Sequence, residues 1–427
     1  MKLCVKSISI YTNRKDMIQI NIINFLANIM VIFIIPMLLQ EISIFSWIPK
    51  TLGGVIIILL LLLIYKSKNK VNIFGCIGLG IISIISVLNS NNFIINVKDL
   101  IYFNMFLLFC LVISEKEYIE QFSIAFKNNG KLIKGILRLS NVIILLSYIF
   151  PNSYYNNWGE GTKYFKGFTF MPHVIAGIAM YMLILTLYYY KINEKKYISK
   201  KIYYIEKGLL IFIPIIVILS TGVRTYLIPL LLMIIYLTFI NRVFLKNIYF
   251  KLGKKWSLVL ILILSFITII VFINTSIYAK FLYVINFAYS KSFISKITSG
   301  RSDIWKACID SFIYDYNLQE KLFGTSFDNV YQIIKIKTNM EIWAHNDLVN
   351  TLMSSGIFGV AVYINIFSRV IVFINSLKIN KFNIYIFMSI YIFIILVNGL
   401  FITVPVIFSM LIFIEIFMEE YNEKYIN

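Results

Sequence analysis

The chain has 427 residues, 59% of them hydrophobic and 16% aromatic, with a mean hydropathy of +0.82. No soluble domain can keep that much apolar side chain from water, so the bilayer is the solvent and residues 1–427 read as one all-α, polytopic membrane domain. The net charge of +20 then belongs to basic loops facing an anionic cytoplasmic leaflet, with no nucleic acid as partner.

The N-terminal stretch MKLCVKSISIYTNRKDMIQI is basic and mixed and runs straight into a full-length apolar segment. It lacks the short apolar core and small-residue site of a signal peptide, so no cleaved leader is expected. Apolar runs follow at 18–39, 51–65, 72–89, 97–113, 132–150, 172–190, 203–220, 225–240, 256–274, 348–375, 383–399 and 401–418. With about 20 residues per span, this predicts about 12 transmembrane helices, the last two forming a hairpin broken at Asn398-Gly399 and Pro405. If the N-terminus is inside, the inner segments 66–70, 114–131, 191–201, 241–255 and 376–383 are lysine-rich. The outer segments 40–50, 89–98 and 220–225 carry one basic residue each. That asymmetry is the positive-inside pattern and predicts both termini in the cytoplasm.

Two outer segments exceed a turn. Residues 151–171, PNSYYNNWGEGTKYFKGFTFM, are polar, aromatic and glycine-punctuated; 275–347 is the large extracytoplasmic loop, between the ninth and tenth spans. Loops of that length are functional or disordered, and the Phe, Tyr, Ile and Trp content of 275–347 argues for order. In SDIWKACIDSFIYDY, Ile304, Cys308 and Phe312 recur at helical spacing after Ser302, a plausible N-cap. The pattern predicts a short amphipathic helix on the outer membrane surface. Cys4, Cys76, Cys110 and Cys308 are isolated, with neither metal-ligand spacing nor a disulfide framework.

Three polar landmarks fall at the outer interface in this topology: Arg224 in STGVRTYLIPL, Arg301 in SGRSDIWK and His345 in AHNDLVNTLMSSGIFGV. Each has a plain reading. An arginine at a span end snorkels to the headgroups or is an ordinary surface charge, and His345 simply precedes an Asn346 or Asp347 helix cap. Arg138 and Arg369 sit near inner span ends, where the plain reading is preferred.

STGVRT, GRSDIW, LFGTS (322–326) and AHNDLVNTLMSSGIFGV, together with GFTFMPHVIAG (167–177), resemble motifs of the O-antigen polymerase and ligase superfamily. That family of polytopic bacterial proteins has about a dozen spans and a large extracytoplasmic loop before a late span. The sequence departs from the family pattern at His173, where asparagine is common, at Ser326, in place of a second glycine, and at Asn350, near where an acidic residue often stands. The resemblance implies glycan transfer from an undecaprenyl diphosphate donor on the outer face of the bacterial cytoplasmic membrane. It also makes a chain-length regulator a plausible partner.

In such a reaction the leaving lipid diphosphate gathers negative charge. Arginine, permanently charged and able to grip phosphate oxygens with two N–H groups, suits that task. The chain contains no Asp-x-Asp pair to hold a metal, so Arg224 and Arg301 in place of a metal is the coherent expectation, with no cofactor. The acceptor hydroxyl needs a base. His345 is the candidate, His173 its rival, and Glu160, Asp303 and Asp347 are outsiders. Asn346, His173 and Trp158 are further candidate substrate contacts. The aromatics Tyr154, Tyr155, Trp158, Tyr164, Phe165 and Phe168 form either a headgroup-level belt or sugar platforms. A polysaccharide polymerase leads. A ligase moving finished glycan to another acceptor, a lipid-linked oligosaccharide flippase and a non-enzymatic scaffold are the alternatives.

Overall fold

The computed structural model describes residues 14–67, 70–156, 163–193, 200–240, 278, 282, 295, 298, 300–377, 379–400 and 403–426. The described chain is a bundle of helices: α1 (Arg14–Ile32), α2 (Ile34–Leu38), α3 (Ser43–Ser46), α4 (Ile48–Lys66), α5 (Lys70–Leu88), α6 (Phe93–Ile113), α7 (Lys116–Asn128), α8 (Gly130–Ser147), α9 (Pro172–Asn193), α10 (Lys200–Ser220), α11 (Arg224–Ile240), α12 (Arg301–Asp310), α13 (Leu318–Phe323), α14 (Phe327–Thr338), α15 (Asp347–Ser376), α16 (Lys381–Val397) and α17 (Val404–Ile426). A two-stranded hairpin, β1 (Tyr154–Tyr155) with β2 (Tyr164–Phe165), is the one sheet among the described residues.

Each predicted apolar run within the described residues forms a helix; the ninth, 256–274, lies outside them. Among the described residues, six helical segments are long and apolar enough to cross a membrane: Met17–Leu38, Ser43–Lys66, Phe93–Ile113, Pro172–Asn193, Ile202–Ser220 and Asp347–Ser376. Three shorter apolar helices, Asn72–Leu88, Arg224–Phe239 and Lys381–Val397, accompany them. α9 is the axis of the bundle. Its apolar window is 89% buried, against 28% for α10, so α9 faces protein and α10 offers its side chains to lipid.

Three expectations are corrected. Segment 114–131 is no simple loop, because 116–128 forms α7. Tyr118, Ile119, Phe122 and Phe126 are buried on one face, while Lys116 and Glu120 pair across the solvent face at 3.6 Å. The amphipathic helix α12 exists, but its cap is Gly300 in the left-handed region (φ 82°), not Ser302. The Ser302 N–H instead donates to the Thr298 hydroxyl at 3.1 Å. Nor does its predicted apolar face meet lipid. Ile304 and Cys308 pack with Val330, Ile334, Ala344 and Met353 in a small second core, and Phe312 leans on it. Arg138 and Arg369 keep their plain roles, pairing with Glu206 at 2.6 Å and donating to Asn72 and Asn365.

The segment from α12 to α14 is tied down at three places. Asp328 accepts the backbone N–H groups of Asn91 and Asn92 at the α5–α6 turn. The Tyr331 hydroxyl donates to buried Asp99 at 2.8 Å, and the Phe327 N–H to the Asn96 side chain at 3.0 Å. These bonds stand α14 on the N-terminal end of α6.

α15 is broken at Gly356 (φ 66°, ψ −168°). Residues 357–376 alone give a rod of roughly 30 Å at 1.5 Å per residue, a full hydrocarbon thickness, so 347–355 is a separate stub above it. A break frees carbonyls from their i+4 partners. Here the Met353 carbonyl is taken by the Thr325 N–H at 3.2 Å and the Tyr316 hydroxyl at 3.1 Å. The LFGTS turn meets the break backbone to backbone. A Cβ on Gly324 (φ 77°) would strike Ser354 and Ser355, and one on Gly356 would strike Leu322 and Phe323. Gly356→Ala and Gly324→Ala should therefore each cost at least about 2 kcal/mol, from strained φ plus steric overlap. Thermal unfolding in detergent would detect it, and an unchanged melting temperature would mean the two backbones do not touch.

Candidate functional site

His345 sits in a short connector pinned on both sides. The Trp305 indole N–H donates to the Ala344 carbonyl at 2.7 Å. The Asn346 side chain caps α15 by accepting from the Leu348 and Val349 N–H groups at 3.0 and 3.1 Å. Between these anchors His345 is held at φ 53°, a left-handed conformation costing a β-carbon-bearing residue about 1–3 kcal/mol. One residue on, Asp347 is buried and its carboxylate accepts from the Tyr363 hydroxyl at 3.0 Å and the Leu400 N–H at 2.8 Å. The stub is thereby locked to the turn after α16.

The chain's two histidines, 172 positions apart in sequence, meet. The rings of His173, in the first turn of α9, and His345 lie 6.2 Å apart at 45°. Trp343 lies against the other side of His345, ring centres 4.5 Å apart. Gly399 (φ 86°) makes room for Trp343, since a Cβ there would collide with the indole.

Arg301, the first residue of α12, donates through Nη1 to the Val397 carbonyl at the end of α16. Burial first, and then the nearby positive charge of Arg224, lower its pKa to about 10, leaving it protonated at neutral pH. Arg224 opens α11. Tyr226, two residues on, is fully buried and also feels Arg301. Four helices thus begin at this cluster (α9, α11, α12 and α15), each adding the positive end of its backbone dipole to the two guanidinium groups.

The structure therefore brings together Arg224, Arg301, His345 and His173. The Asn346 side-chain oxygen is committed to capping; Trp158 and Glu160 lie outside the described residues. Asp303 is occupied by the Ser295 hydroxyl at 2.6 Å. The aromatic-belt and sugar-platform readings both fail for Tyr164 and Phe165. They are buried, with Phe165 stacked on Tyr148 at 3.8 Å. Trp343, Tyr226 and Gly399 were missed, although Trp343 and Tyr226 each stand two residues from a residue that was singled out. Among the described residues no group of three or more His, Cys, Asp or Glu side chains is placed to hold a metal ion. Two open clefts beside α12 and α14, one lined by Asn91, Tyr316 and Glu320 and the other by Asp303, Lys306 and Asp310, include none of the four clustered side chains.

His345 is not an ordinary imidazole. Burial, and then the positive charge of Arg301, push the His345 pKa from 6.5 down to about 3. Its Nδ1 is enclosed and has no hydrogen-bond partner. The ring is neutral throughout the physiological range and weakly basic. As pH falls from 6.5 toward 3, the unfolded chain takes up a proton that the folded chain refuses, so stability falls across that window. His345→Asn should flatten the decline, as melting temperature against pH would reveal. An identical slope in the variant would show that His345 is not held neutral.

No protein-family model matches the chain, and no curated protein does.

Proposed function

We propose that the chain is a polysaccharide polymerase, joining undecaprenyl-diphosphate-linked repeat units on the outer face of the bacterial cytoplasmic membrane. In this reading it has twelve spans, with both termini cytoplasmic. The single observation that carries it is the gathering of two guanidinium groups and an imidazole at the start of four helices. Crowding like charges in a half-buried place is unfavourable unless an anion comes to it. Arg301 is held by a neutral carbonyl, which leaves its other N–H groups for phosphate oxygens.

The donor diphosphate binds across Arg224 and Arg301. The acceptor hydroxyl attacks the anomeric carbon and passes its proton to His345. The bond from that carbon to the phosphate oxygen breaks, and its electrons leave with the lipid diphosphate. Donors fixed where this charge develops contribute several kcal/mol in a water-poor site. An anion on the arginines also offsets the repulsion that Arg301 exerts on an imidazolium, so the base strengthens when the donor is bound.

The test is the lipid-linked pool after deletion of the gene. Accumulated single repeat units support a polymerase. Long chains left on the carrier would mean a ligase, and a depleted outer pool with units trapped inside would mean a flippase.

A further inference from the structure

Once the predicted face of α12 is buried in the second core, a different set of apolar side chains remains uncovered on the outer segment. Ile309, Ile313, Leu318, Leu322 and Phe323 are 42%, 48%, 75%, 41% and 37% exposed, and Tyr314 is 80% exposed. They form one corner. The Lys321 ammonium donates to the Ile313 carbonyl at 2.8 Å, which folds α13 back on the end of α12 and brings Ile313 beside Leu318 and Leu322. Charge lies on the other side, where Asp315 pairs with Lys337 at 2.9 Å and Asp303, Lys306 and Asp310 line a polar cleft.

The height of this corner is fixed by the break in α15. The Leu322–Phe323 backbone abuts Gly356, where the full-length rod begins, and the rings of Phe323 and Phe358 lie 6.0 Å apart. Beyond that contact the rod continues with Ile357 and Ile364, 53% and 52% exposed, the surface a spanning helix turns to lipid. The corner thus extends a lipid-facing stripe without interruption. An exposed apolar patch with a polar back, level with the end of a span, has the form of an interfacial anchor. We infer that the α12–α13 corner is seated in the outer leaflet, with Ile313, Leu318, Leu322 and Phe323 among the lipid chains near the headgroups. The inference needs only a bilayer around the helices and is independent of glycosyl transfer. Its consequence is that the first residue of α12, Arg301, is held at the level of the membrane surface.

The full chain in lipid nanodiscs tests this. Single cysteines at 313, 318 and 322, in a background without the native cysteines, carry a fluorophore; Lys306→Cys is the polar-face control. Nitroxide lipids should quench the three corner labels severalfold more than the control, and an aqueous quencher should reach them severalfold less. Equal aqueous quenching at all four positions overturns the inference. So does protection from both quenchers, which would mean that a second copy of the chain or another protein covers the corner. Hydroxyl-radical footprinting of the unaltered protein needs no cysteine removal. Leu318 and Ile313 should be as unreactive as Ile364, and oxidation at the rate of Ile336, 76% exposed on α14, would overturn the inference.

Discussion

Arg301→Lys is expected to lower polymer formation by about 10²–10³-fold at an unchanged level of protein in the membrane. Lysine keeps the charge and loses the fork. The guanidinium of Arg301 already gives one N–H to the Val397 carbonyl, and its planar fork carries further N–H donors. An ammonium on a flexible stem cannot hold the carbonyl and also grip two phosphate oxygens. Charge itself is at stake too. Burial and Arg224 already bring Arg301 down to about 10. The same surroundings acting on lysine, which starts about two units lower, would bring its titration closer to neutral pH than that of the guanidinium. Polymer per cell, normalised to membrane-inserted protein, reads the effect. A fully active lysine variant would reduce Arg301 to a brace between α12 and α16.

The second large effect is expected at His345. Removing a general base costs about 10²–10⁴-fold, and His345→Asn isolates that loss from folding. Asparagine tolerates the left-handed backbone that His345 adopts at φ 53°, so the connector between Trp305 and the Asn346 cap should survive. The wild-type rate should show no acid limb near pH 6.5. With the free imidazole at about 3, its dependence on a neutral base appears only below about pH 5. His173→Asn is expected to retain most activity. Should the losses be reversed between the two variants, His173 is the base and His345 its neighbour.

Apolar runs were enough to place the apolar helices among the described residues, because bilayer thickness fixes the length of a span. Assigning their span ends to one side also grouped Arg224, Arg301 and His345, which the structure brings together. Two kinds of information were not legible. Periodicity reveals which face of a helix is apolar, never what covers it, so Ile304 and Cys308 were assigned to lipid when they fill a core with Val330 and Met353. The tyrosine and phenylalanine spacing of 118–126 was visible in the same way, but the lysines around it drew the segment as a loop. The break at Gly356 is of the other kind. Glycine within SSGIFG reads as a small packing residue, and only the opposing backbone of Leu322–Gly324 makes it a discontinuity. Trp343 and Gly399 escaped for the same reason, as partners 56 positions apart whose fit depends on a single missing Cβ.

The pairing of His173 with His345 concentrates every imidazole of this chain in one place. Protein grown on isotope-enriched histidine would therefore carry nuclear magnetic signals from that locality alone. In a 49.9 kDa chain embedded in lipid, where crowded spectra normally defeat assignment, two resonances would report tautomer, protonation and the arrival of an anion, with no other nucleus to confuse them.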